Sequence, residues 1–342
     1  ISGCHRMLTP QQGSHNWAAA FAAVPETTVV AVFDKGADTR TQFVTTWSER
    51  WPDLREFDDY DRMLAETRPD LVCIATRQTM HADQIERAVR AGARGILSDK
   101  PLATSLAETE RIVKACRDPR TPLAFGLDRR WTARYRWARD FLASGAIGRL
   151  TAVTAYGLIN VINHGCHWYD AALMLAGDPE VAWVSGRVDD VSAEPLDSNK
   201  RLDPTGRALV GLSNGVTLHV TPDGRPGPAF EVLGETGRLL LLNDARDVYV
   251  WTSDADTPNR LKPGSVAAPE VSVPWEAGPA LVSDLVNAMR TQGSTGCDVD
   301  EARRATEIGF AIHASSSLGG RTVSIGEVDR GLRIESFKWG NE

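Results

Sequence analysis

The chain has 342 residues, 42% of them apolar and 24% charged, with a formal net charge of −7. That length calls for two hydrophobic cores rather than one, and the acidic balance excludes a nucleic-acid binder, which needs a concentrated basic face. No apolar run reaches the roughly 18 residues of a membrane span, and five scattered cysteines without a CxxC pair point to a reduced, cytoplasmic protein.

Three strand-like runs are expected early in the chain: TTVVAVFD (27–34), PDLVCIAT (69–76) and GILSDKP (95–101). Helical patterns occupy 16–24, 59–67 and 81–93, and in the last of these Ile85, Ala88, Val89 and Gly92 form one stripe. A further helix over 105–118 starts at a Ser105 cap, with Glu108 three residues on completing a capping box. Continuous apolar strands alternating with amphipathic helices predict a parallel, doubly wound sheet. No first strand fits before Gly3, so we expect residues upstream of Ile1 rather than a missing strand.

From about residue 121 the pattern changes. TPLAFGLDRR (121–130) reads as a strand and 132–148 as a helix ending in glycines. A short helix over 167–177 is followed by a train of strands, VAWVSGRVDD, RALVGLSNG, VTLHVTPDG, AFEVLGETG and RLLLLNDARDVYVWTSD, which predicts a largely antiparallel sheet. Helices at 278–291 and 300–318 close the chain, and DSNKRLDPTG and DTPNRLKPGSVAAPE are loops. The expected division is an α/β domain over 1–122 and an α+β domain with an open sheet over 123–342. Ligands of such layouts bind at the carboxyl ends of the parallel strands.

Several motifs carry chemistry. GLSNG (211–215) matches the hydrolase G-x-S-x-G pattern, but a strand follows it where a nucleophile elbow needs a helix, so Asn214-Gly215 is read as a two-residue hairpin turn. Gly3 and Gly13 stand where a dinucleotide-binding turn would, without the G-x-G-x-x-G spacing. Asp34, ending the first strand-like run, suits the ribose hydroxyls of NAD, while Lys35 and Arg40 nearby leave NADP open. Lys100 follows a parallel strand and is fixed by Pro101, a placement unlike that of a solvated helix-face lysine. NHGCHWYD (163–170) sets His164 and His167 three apart around Cys166, and on these residues alone metal ligation, acid/base work and packing are all open. A metal needs three or four ligands; His164 and His167 with Cys166 or Asp170 find no distant partner to complete a set, so no metal is expected.

CIATRQTMHADQIERAVRAGARGILSDKPLATSLAETERIVKAC resembles the glucose–fructose oxidoreductase, inositol dehydrogenase and rhizopine-catabolism family (Gfo/Idh/MocA), whose members carry T-P-N-x-x-H, a helix, then E-K-P. AFGLDRRWTARYRWARDFLASGAIGRL looks like the next family segment, and NHGCHWYDAALMLAG like its D-x-G-x-H-x-x-D motif. The resemblance runs from about residue 15 to 325. It implies a Rossmann-type domain holding NAD, or NADP, and a second domain for substrate binding and oligomerisation. It implies Lys100 and His167 as the catalytic pair, with Gly3, Gly13, His15, Asp34, Thr76, Gln78, His81, Asp99 and Pro101 around the cofactor. Arg130, Asn163 and Asp170 would face the substrate. The chain departs from the family with Asn163 for aspartate, Asp99 for glutamate, and Arg77 and Gln78 for proline and asparagine.

The implied reaction is hydride transfer at a carbinol carbon of a sugar or cyclic polyol. An amide cannot take a proton, so Asn163 is excluded as base. Histidine, with an ordinary pKa near about 6.5, suits the task, leaving Lys100 to polarise the substrate oxygen. Two other classes stay in view: an NAD-dependent glycoside hydrolase that oxidises a sugar transiently, and a non-catalytic cofactor- or sugar-binding member. By family resemblance, a homodimer or homotetramer is expected, with no nucleic-acid or membrane partner.

Overall fold

The computed structural model describes residues 1–117, 120–189, 200–224, 227–253, 256, 260–270 and 276–335. The expected loops at 197–206 and 256–270 therefore lie in part outside the described residues. The chain forms two compact units, Ile1–Trp131 with Val273–Arg303, and Thr132–Ser272 with Arg304–Glu342.

The first unit alternates helices and strands: α1 (Trp17–Ala23), β1 (Ala31–Phe33), α2 (Ala37–Trp47), β2 (Arg55–Phe57), α3 (Tyr60–Thr67), β3 (Leu71–Ile74), α4 (Gln78–Arg90), β4 (Gly95–Ser98), α5 (Leu106–Arg117) and β5 (Leu123–Phe125). β1 pairs in parallel with β2, and β4 pairs in parallel with both β3 and β5. Apart from β2, whose Arg55 and Glu56 are exposed, the strands are short and almost wholly apolar, as strands covered on both faces must be. Residues 1–3 fill the place of the first strand. Ser2 forms parallel bridges to Phe33 on β1 and Ile74 on β3. Its N–H donates to the Cys73 carbonyl and its carbonyl accepts from Ala75 N–H, both at 2.7 Å. The expected doubly wound parallel sheet is present, and its order reverses at Ser2.

The second unit begins with α6 (Ala133–Ala143), β6 (Leu150–Tyr156), α7 (Gly165–Leu175) and β7 (Val181–Val188). Then come β8 (Lys200–Arg201), β9 (Gly206–Leu212), β10 (Thr217–Thr221), β11 (Ala229–Gly234), β12 (Gly237–Leu242), β13 (Asp247–Thr252) and β14 (Lys262–Gly264). Helix α8 (Ala277–Thr291) belongs to the first unit, and the unit boundary falls within α9 (Val299–Ser317). β15 (Val323–Ser324) and β16 (Arg333–Ile334) follow. Nine strands form one sheet in the order β14-β13-β12-β11-β6-β10-β9-β7-β15. Its pairs are antiparallel except β6 with β10. Inward residues such as Val153, Val210, Leu218 and Val232 are fully buried, whereas Leu209 and Tyr249 on the other side are 42% and 48% exposed.

Four expectations need correction. Division at 122/123 would sever β5 from its own sheet, and α8 returns to that unit. The strand read over 121–130 is only β5, because the chain then tightens into a 3-10 turn at Asp128–Trp131. The GLSNG hairpin is real, but its loop is longer than two residues: only Gly215 has positive φ (+84°), and Leu212 N–H closes the loop on the Val216 carbonyl at 3.0 Å. A primed two-residue turn needs positive φ at both centres, so this is a three-residue loop ending in a left-handed glycine. Finally, Ser105 Oγ accepts the Glu108 N–H at 3.2 Å, but Glu108 reaches back to Thr104 N and Oγ1, at 2.8 and 2.7 Å, not to Ser105 N.

Candidate active site

Gly3 lies where the sheet order reverses, which is where doubly wound sheets bind ligands. It has φ +82°, and a Cβ there would come within 2.7 Å of the Ala75 backbone carbon and oxygen. Its N–H donates to the Phe33 carbonyl at 2.8 Å. Only glycine tolerates both the conformation and the approach. Gly13 differs: it is exposed, has no positive φ, and a Cβ would meet nothing within 4 Å. The second glycine of the expected turn thus has no steric reason to be one.

Between them the chain makes an ordered excursion. Met7 is buried, its carbonyl accepts the Trp47 indole N–H at 2.8 Å, and Thr46 Oγ1 donates to the Leu8 carbonyl. Asn16 caps α1 by accepting Ala19 N–H at 3.1 Å, and its amide nitrogen donates to the Thr9 and Gln11 carbonyls. Asn16 was missed by sequence reasoning, although an asparagine immediately before an apolar helix is a recognisable cap signal.

Asp34 sits directly beside Gly3. Its Oδ2 accepts Cys4 N–H and its Oδ1 accepts Gly36 N–H, each at 3.0 Å. Arg40 donates to the Asp34 carbonyl at 2.7 Å, not to the carboxylate, which keeps lone pairs for a ligand hydroxyl. Thr76, across the switch point, donates its hydroxyl to Gln84 Oε1 at 2.9 Å, and Ser2 Oγ donates to the same oxygen at 3.0 Å. Gln84 was also missed; it ties together the two segments that meet at Gly3. Gln78 is the half-buried first residue of α4.

His81 was expected against the cofactor, but it is fully buried. Its ring nitrogens lie 3.1 Å from the Thr76 carbonyl and 3.2 Å from that of Leu102. Burial pushes its pKa down, outweighing those carbonyls. It offers no atom to solvent and lies between the Thr76 turn and the loop after Pro101, where a neutral imidazole donates to one of the two carbonyls.

Asp99 leaves β4 with its N–H on the Ile74 carbonyl at 2.8 Å. Its Oδ1 accepts the Lys100 backbone N–H at 2.8 Å and lies 2.9 Å from His15 Nδ1. Burial favours the neutral acid, but the His15 charge and hydrogen bond, with Lys100, outweigh it and hold the carboxyl well below the usual range. An ionised carboxylate only accepts, so the His15 Nδ1–H is the donor of this bond. His15 itself is left-handed, φ +64°, with its ring edge-on to Trp17. The shorter acid in place of the family's glutamate therefore holds the lysine's main-chain N–H. Lys100 is half-buried, and the following peptide to the buried Pro101 is cis.

Arg130 requires a correction. Expected in the substrate domain, it lies in the 3-10 turn of the first unit, buried, with Nη1 donating to the Gly296 carbonyl at 3.2 Å. The neighbouring Trp131 indole donates to Asp284 on α8 at 3.2 Å, so this turn is anchored inside that unit.

In the second unit, Asn163, His167 and Asp170 are 6%, 9% and 1% exposed, around the first turn of α7. His164 is the N-cap, its N–H donating to Asn160 Oδ1 at 2.7 Å. The Cys166 thiol donates to the Asn163 carbonyl at 3.3 Å, a packing role. Gly165 makes room for Tyr169, whose ring a Cβ would meet at 2.8 to 2.9 Å. Among the described residues no group of three His, Cys, Asp or Glu side chains is arranged to hold a metal ion.

Comparison with known proteins agrees with this layout. Residues 5–126 match an oxidoreductase family, described as having an NAD-binding Rossmann fold and designated GFO_IDH_MocA. A dTDP-3,4-didehydro-2,6-dideoxy-α-D-glucose 3-reductase of Saccharopolyspora spinosa is 30% identical over 240 residues, 65% of this chain and 69% of that protein. D-apiose dehydrogenase of Paraburkholderia graminis is 28% identical over 262 residues, 69% and 66% of the two chains. A levoglucosan dehydrogenase solved with NADH and levoglucosan has the same fold, with TM-score 0.74 at 17% identity, covering 93% of this chain and 98% of that one. The matched stretch spans 38%, 66% and 53% of three curated relatives. No helix among the described residues is long and apolar enough to cross a membrane.

Proposed function

The chain belongs to the Gfo/Idh/MocA oxidoreductase family, and from that premise we propose that it oxidises or reduces a carbinol centre of a sugar or cyclic polyol with a nicotinamide dinucleotide. The observation that carries this reading is the Gly3–Asp34 pair at the switch point, a close-approach glycine beside a carboxylate that, among the described residues, is bonded by Cys4 and Gly36 while Arg40 donates to the Asp34 carbonyl. Those residues fit the cofactor. Asp34 would take the ribose hydroxyls, and its charge favours NAD over the 2′-phosphate of NADP. When bound, the nicotinamide supplies the redox chemistry.

The protein's own part is orientation and proton handling. Asp99 and His15 fix the Lys100 main chain, and Lys100 donates to the substrate oxygen. His167 takes the hydroxyl proton on oxidation and returns it on reduction. Asn163, Asp170 and Arg130 are the hydrogen-bonding partners for neighbouring substrate hydroxyls. His81 acts by packing between Thr76 and Leu102. Self-association as a dimer or tetramer uses the open sheet face that displays Leu209 and Tyr249.

The test is calorimetric titration of cofactor-free protein with NADH and NADPH, then turnover of sugars and inositols by Lys100→Ala and His167→Ala. NADH binds more tightly, and each variant loses at least about 100-fold in kcat with NADH affinity within about twofold. Wild-type turnover in His167→Ala would sink its role. Failure of folded protein to bind either cofactor would favour a non-catalytic sugar-binding protein.

A further inference from the structure

Asp203 has no motif and stands forty residues from the turn before α7, yet it grips that turn. The side chain is buried, 7% exposed. One carboxylate oxygen accepts the Ile162 N–H and the other the Asn163 N–H, both at 2.7 Å. Bonds to an ionised acceptor are short and about twice as strong as neutral ones. The flanking residues run alongside the same segment: Val161 N–H donates to the Pro204 carbonyl at 2.9 Å, and Thr205 Oγ1 to the Leu158 carbonyl at 3.0 Å.

What Asp203 holds is the approach to α7. That helix starts without a side-chain cap, so the direction of its first turn depends on the backbone delivered to it. His167 lies in this turn, with its N–H on the His164 carbonyl at 2.9 Å. Tyr169 closes the other side by donating its hydroxyl to the Val161 carbonyl at 2.9 Å. Burial first, and the Asp203 charge second, raise the pKa of that phenol and keep it a donor. An amide could not replace Asp203, because two N–H groups face it and its NH2 would oppose one of them.

We infer that Asp203 is a positioning residue, fixing the main chain of Ile162 and Asn163 so that the Asn163 amide and the His167 imidazole are presented in one geometry. The inference rests on the proposed roles of those two residues. It assigns Asp203 no contact with substrate.

The test uses the full chain with Asp203→Asn, and Asp203→Glu in parallel. Spectra of 15N-labelled protein at one fixed pH follow the Ile162 and Asn163 amides and the ring resonances of His167, assigned with His167→Gln. Loss of the carboxylate should displace both amide resonances and, with them, the His167 ring resonances, because the turn that carries the imidazole is no longer held in one geometry. NADH affinity should stay within about twofold, since Asp203 lies in the other unit. Displaced amides with an unmoved His167 overturn the inference, as do unmoved amides. If Asp203→Asn does not fold, the same two readings of Asp203→Glu decide it, because the longer arm must shift the grip. These spectra need no turnover. A protein inactive on every sugar tried would refute the proposed reaction and leave the positioning role of Asp203 to be decided by the spectra alone.

Discussion

At the scale of single residues the nucleotide half is built by exclusion of side-chain atoms and by shared carboxylates. Gly3 lets two chain segments approach until no Cβ fits between them, and Asp34 and Asp99 each fix a backbone N–H at the end of a parallel strand. Asp99 binds two groups through one buried carboxylate oxygen: the His15 ring and the Lys100 N–H. Gly3→Ala is the sharpest test of this half. Left-handed alanine costs about 1–2 kcal/mol from the backbone alone, and the overlap with Ala75 forces the turn apart as well. NADH affinity should fall by about tenfold or more, with a lower Tm, whereas Gly13→Ala should leave both nearly unchanged. Equal losses at the two positions in calorimetry would show that Gly3 has no special place.

At the scale of elements, what could be read from the sequence was what a local period determines. β1, β3 and β4 were legible because strands buried on both faces leave continuous apolar runs, and α4 and α5 because one stripe meets the core. Helix α2 was not: Thr39, Thr41, Thr45 and Thr46 are β-branched, poor helix formers, and only Phe43 and Trp47 are buried. β2 carries one buried residue, Phe57, too few to show a period. The site was half legible for the same reason. His167, Lys100 and Asp34 sit in local motifs, whereas Gln84 joins the Ser2 and Thr76 hydroxyls and Asp203 two N–H groups about forty residues away, which no spacing reveals; the cap at Asn16 was local but went unread. Helix α5 joins the two levels, because its cap ends the loop that starts at Lys100. Ser105 accepts the Glu108 N–H while Glu108 holds Thr104. Ser105→Ala should cost about 1 kcal/mol, seen as a Tm lower by about 2–4 °C. NADH affinity should barely change. A drop beyond about 8 °C in thermal melts would mean that the cap supports more than its own helix.

At the scale of the whole molecule the chain returns to its first unit after building most of the second, and this return is what a linear domain boundary misses. β5 pairs with β4, and the residues beyond α8 run beside it: Leu123 N–H donates to Asp298 Oδ1 at 3.1 Å, Phe125 N–H to the Cys297 carbonyl at 3.0 Å, and Thr295 Oγ1 to the Leu123 carbonyl at 2.6 Å. Helix α8 covers β4 closely enough that a Cβ on Gly95 would lie 2.5 Å from Met289 Sδ, and Leu281, Val282 and Leu285 are fully buried on it. A fragment ending at residue 122 exposes the β4 edge and loses those side chains. Each is worth about 1.5–3 kcal/mol when buried. Together they approach the entire stability of a typical domain, about 5–15 kcal/mol. The fragment 1–122 should therefore show no cooperative thermal transition by circular dichroism and no NADH binding. Residues 1–131 joined by a flexible linker to 273–303 should show both. A cooperative melt from 1–122 alone would mean that the parallel sheet needs neither β5 nor α8. If both pieces melt broadly, the first unit depends on the second for its fold, and the dinucleotide half is not an autonomous unit.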